Sequence, residues 1–167
     1  MSKRSLAVRV LTPTATADTT NLANDTYNAL IQGGSALQQV LISEIMLGGQ
    51  AGASAPTIMV AGMNSTVGTS VVVGISEDAP LSGTTEALAN PTAAGVSATI
   101  LPQRSATLGH VLQLSFNAFG GIVRWLAAPG EEIGIVGLIV DTGSFSLSAF
   151  TGGTPGALSS HVIFEAT

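Results

Sequence analysis

The sequence predicts an all-β protein, a sandwich or barrel of about nine strands. Short apolar runs recur at fairly even intervals along the 167 residues, and clusters of Gly, Pro, Ser, Thr and Asn separate them. Several runs alternate apolar and polar residues with the period of two that a half-buried strand requires. Composition agrees: 46% of residues are hydrophobic and only 9% charged, which excludes a disordered chain. No apolar run, 133–140 included, approaches the roughly 18 residues that carry a helix across a bilayer. The length fits one domain able to bury a core without metals or disulfides, and there is no cysteine.

Residues 5–11 form the first expected strand. The Thr-, Ala- and Asn-rich stretch 12–28 after it reads as loop or extended arm, so residues 1–34 are expected to supply an N-terminal strand and arm and residues 35–167 the sandwich. Segment 35–47 is ambiguous. Ser35-Ala-Leu-Gln38 spells a capping box, and Leu37, Val40, Leu41, Glu44 and Ile45 keep helical spacing before Gly48-Gly49. The branched residues Val40, Ile42 and Ile45, set among strands, favour a strand from about Gln38. Runs 57–61 and 70–75, joined through 62–68, read as a hairpin. Residues 77–94, polar and small with Pro80 and Pro91, read as a surface excursion.

The C-terminal half is more regular. Along 110–117, Leu112, Leu114 and Phe116 share one face. Gly120-Gly121 allows a tight connection into 122–127, and Ala128-Pro129-Gly130-Glu131 spells a turn with proline at its second position. Run 133–140 is apolar on both faces. Residues 144–149 alternate with serines outward, and 161–165 place Val162 and Phe164 on one face. Six of the seven aromatics lie here, so the densest part of the core is expected in this half.

Reactive chemistry is sparse. Lys3, Arg4 and Arg9 hold three of the five basic residues, and the remaining two, Arg104 and Arg124, oppose ten acids, so no basic face for nucleic acid is expected. No Gly-x-Ser-x-Gly elbow, His-x-His, His-Glu-x-x-His or EF-hand spelling occurs, and the Gly-Gly pairs lack phosphate-loop spacing. His110 and His161 read as strand histidines rather than bases. Glu77-Asp78, Glu131-Glu132 and Asp141 have the oxygen chemistry of a calcium site, but read more simply as solvated loop acids. The N-terminus lacks the apolar stretch of a secretory signal. Neither an enzyme, a cofactor, a metal nor a membrane partner is therefore expected. A chain so apolar and so poorly charged is expected to cover its surface with other copies of itself or an assembly. Candidate partner-binding residues are Lys3, Arg4 and Arg9, as a basic arm toward a negative surface, and the Arg124-Trp125 pair. Trp125 reads either as such an anchor or, more simply, as core.

Several pieces together resemble a family. They are Val40-Leu-Ile-Ser-Glu-Ile-Met-Leu-Gly-Gly49, the Ser65-Thr-Val-Gly68 turn, a strand ending in Phe116-Asn117, Arg124-Trp-Leu-Ala-Ala-Pro-Gly-Glu131 and His161-Val-Ile-Phe-Glu165. Their order, over roughly residues 37–165, is similar to jelly-roll decoration or cement proteins of tailed bacteriophage capsids; the Arg-Trp turn is its most specific piece. The resemblance implies an antiparallel jelly-roll sandwich and a homotrimer on the capsid outer surface, bridging major capsid protein subunits. The alternatives are a host- or glycan-binding virion module and a tail or baseplate component.

Overall fold

The computed structural model describes residues 3–11, 27–32, 39–66, 76–77, 90–92, 103–105, 108, 110–137, 143–151 and 158–166, and among these every regular element is a strand. The long strands are β1 (Lys3–Leu11), β2 (Tyr27–Gln32), β3 (Gln39–Gly49) and β4 (Pro56–Thr66). Three short ones follow: β5 (Ser76–Glu77), β6 (Asn90–Thr92) and β7 (Gln103–Arg104). The last five are β8 (His110–Asn117), β9 (Ile122–Leu126), β10 (Ile133–Val136), β11 (Ser144–Thr151) and β12 (Leu158–Ala166).

They form two antiparallel sheets. The first runs β5-β1-β12-β3, with β9 and β10 pairing end to end along the far edge of β3. The second runs β6-β2-β11-β4, with β8 and β7 on the far edge of β4. Setting the short strands aside, the order β1-β12-β3-β9 is matched by β2-β11-β4-β8, and the chain changes sheet at every connection except β4 to β8 and β9 to β10. This is a jelly-roll sandwich, as the resemblance implied. Between β9 and β10 the Glu131 N–H donates to the Ala128 carbonyl at 2.9 Å, and Gly130 takes φ 85°. A proline at the second position and a left-handed glycine at the third are what a type II turn requires.

The preference for a strand from about Gln38 is met by β3, described from Gln39, and the helical spacing has a physical cause. Partners of β12 skip one residue of β3, since Ile163 faces Glu44 and Phe164 faces Ile42. Ser43 is thus the extra residue of a β-bulge. Its hydroxyl donates to the Ile163 carbonyl at 3.3 Å and its own carbonyl accepts from Ala127 N–H at 2.9 Å. The inward positions are Val40, Ile42, Ile45 and Leu47, all at most 1% exposed, so the apolar step lengthens from two residues to three at the bulge. That step imitates a helix in the sequence.

Inward residues of both sheets make one core, including Ile31, Met59, Ala61, Met63, Ile135, Phe145, Leu147, Val162 and Phe164. Among the described residues it draws on both halves of the chain, because β3 and β4 are inner strands of their sheets. Of the described aromatics in the C-terminal half, Phe145 and Phe164 are fully buried, Phe116 and Trp125 pack against the core and Phe119 is exposed. Three readings are corrected. Strand β4 runs through Gly62 to Thr66, with Gly62 paired to Ser146 and His110, so no loop opens at Gly62; residues 67–75 lie outside the described residues. Strand β2 forms where the sequence reads as loop and then unassigned chain. Ser144 and Ser146 are buried, since β11 lies between β2 and β4 and its outer side is covered along with that of Val60. The Ser146 hydroxyl donates to Asn64 Oδ1 at 2.8 Å, which satisfies it there.

Candidate functional site

Strands β8 and β9 end the two sheets on the same side of the sandwich and are joined by residues 118–121. The junction is tied to the β3–β4 connection by backbone bonds: Gly49 N–H to the Gly121 carbonyl at 3.2 Å, Ala51 N–H to Ala118 at 3.0 Å, and Ala118 N–H to Ala55 at 2.9 Å. Asn117 completes it. Its Oδ1 accepts from the N–H groups of Ala55 (2.9 Å) and Phe119 (3.0 Å), and its Nδ2 donates to Ser54 Oγ (2.9 Å). At Gly49 and Gly121 an added Cβ would overlap backbone atoms of Ala118 and Asn117, respectively. The edge is therefore held rigidly.

Among the described residues, every large hydrophobic side chain that is exposed lies on or beside this edge. On β9, Ile122 is 81% and Leu126 59% exposed, and Val136 on β10 continues their row. Phe119 caps the junction at 58%. On the other sheet Val111 of β8 is exposed, with Leu108 just before it and Ile58 of β4 opposite Ser115. A cleft of about 470 Å³ lies over the ends of β4 and β8, lined by Pro56, Thr57, Ile58, Ser115, Phe116 and Asn117.

Between Ile122 and Leu126 stands Arg124, whose Nε donates to Glu44 Oε1. Glu44 is buried while the Arg124 side chain is 58% exposed. The hydrogen bond and charge of Glu44 raise the guanidinium pKa above its ordinary value, so Arg124 stays charged at any working pH. Opposite charge thus helps to compensate the buried carboxylate.

The candidate residues do not converge. Adjacent strand residues point to opposite faces, so Trp125 turns inward beside Ile45 and packs partly buried against the core, while Arg124 faces out. Lys3, Arg4 and Arg9 are carried by β1, where Lys3 is in register with Glu165 and Arg4 with Phe164. Of residues 1–34, the described parts are β1 and β2, members of different sheets; 12–26 and 33–34 lie outside the described residues. Among the described residues no three His, Asp or Glu gather. Asp78 and Asp141 lie outside them, and Glu131 and Glu132 sit in the β9–β10 turn, where Gly130 N–H donates to Glu132 Oε1 at 3.3 Å. The sequence reading did not single out Ile122, Leu126, Phe119, Val111 or Ile58 as surface. The available signal was the strand 122–126, which carries large apolar residues on both parities.

No family model matches the chain, and none of the curated proteins does. Among solved structures it is similar to a chain titled Israeli acute paralysis virus heated to 63 degree, full particle, at 9% identity over all of this chain and 68% of that one, with a TM-score of 0.32. It is also similar to infectious bursal virus derived T=1 particles (10% identity, 98% of this chain, 40% of that one, TM-score 0.16). A third is infectious bursal disease virus Gx strain (14%, 98%, 39%, TM-score 0.17). Likenesses this slight add nothing to the strand order, which defines the fold by itself.

Proposed function

We propose that the protein is a structural component of a virion that decorates and cements the outer surface of an icosahedral bacteriophage capsid, bridging major capsid protein subunits as a homotrimer. The observation that carries this reading is the concentration of exposed Ile, Leu, Val and Phe along the β8–β9 edge of a sandwich with 9% charged residues. Full burial of one such side chain is worth about 1.5–3 kcal/mol, whereas an exposed ion pair gives at most about 1 kcal/mol. Contact through apolar seating therefore suits this surface better than charge attraction. A shell component meets its neighbours at fixed positions, and many such contacts sum to resist expansion under internal pressure.

The test uses intact particles. Stripping the protein and heating is expected to lower the temperature at which particles release their DNA, and adding purified protein back is expected to restore it. An unchanged release temperature after verified stripping rejects the cementing role.

A further inference from the structure

We draw no further inference here: the strongest candidate, the exposed apolar β8–β9 edge with Ile122 and Leu126 and the cleft beside it over the ends of β4 and β8, carries nothing because nothing in the structure shows what covers it.

Discussion

Replacing Gly49 with alanine tests whether the β8–β9 junction is as rigid as its geometry requires. Gly49 ends β3 directly against Ala118, and a Cβ there would overlap the oxygen, Cα and carbonyl carbon of that residue. These are backbone atoms, so no rotamer change relieves the overlap. Ala118 itself is fully buried and bonded both ways, accepting from Ala51 N–H and donating to the Ala55 carbonyl. Overpacking costs about 1–3 kcal/mol, and displacing Ala118 strains two hydrogen bonds worth about 1 kcal/mol each. The expected loss is about 3–5 kcal/mol, a large share of the roughly 5–15 kcal/mol that holds a domain together. Gly134→Ala is the matched control, because its Cβ meets only Leu41 Cδ2 at 3.7 Å, an ordinary contact. That change is expected to be neutral or to stabilise by up to about 1 kcal/mol through the unfolded chain. With a urea m-value of about 2 kcal/mol/M, the midpoint of Gly49→Ala should fall by roughly 1.5–2.5 M while that of Gly134→Ala holds. Midpoints within about 0.3 M of each other would refute the claim that the two connections are locked together.

Two further substitutions probe the same edge. Asn117→Ala removes the acceptor of two N–H groups, one of them on buried Ala55, and is expected to cost about 1–3 kcal/mol in urea unfolding; Asn117→Asp keeps both bonds and should cost under about 1 kcal/mol. Equal losses would mean that the side-chain acceptor is not what secures the junction. Arg124→Ala removes the cation that hydrogen-bonds the buried Glu44 carboxylate, so its melting temperature should fall below that of the wild type. Adding Glu44→Gln to Arg124→Ala should recover part of the loss. A deficit with no recovery in the double variant would place the effect in packing.

Local pattern revealed the strands whose burial is one-sided. The alternation of Leu112, Leu114 and Phe116 placed β8, and Val162 with Phe164 placed β12, because one face of each meets core. Where burial is two-sided, the pattern misleads. Ser144 and Ser146 read as solvent-facing although both are buried; the Ser146 hydroxyl is tolerated in a covered sheet because it is bonded to Asn64. Gly62 and Asn64 read as turn residues, but three neighbouring strands pair with β4 and supply the hydrogen bonds that decide its length. The bulge at Ser43 is an event between strands, visible in the sequence only as a broken period. The surface suffered for the same reason: strand 122–126 was legible, but its place at the end of a sheet depends on topology. Only that place distinguishes an exposed Ile122 from a core isoleucine.

The construction of this edge argues for side-chain seating rather than strand addition. Sheet edges that must stay solitary are ordinarily protected by lysine, proline, inward charge or a bulge that twists them away. Strand β9 carries Ile122, Arg124 and Leu126 on its outer side, its one cation is engaged by Glu44, and the chain's only lysine is Lys3. At the same time β9 is five residues long and ends at the Pro129-Gly130 turn before β10 resumes. A partner strand would find few ladder bonds there, so open-ended growth by strand pairing is disfavoured although the flanking side chains remain available. A short, rigid edge with exposed apolar side chains and internally balanced charge therefore favours a contact made by side chains over one made by backbone pairing.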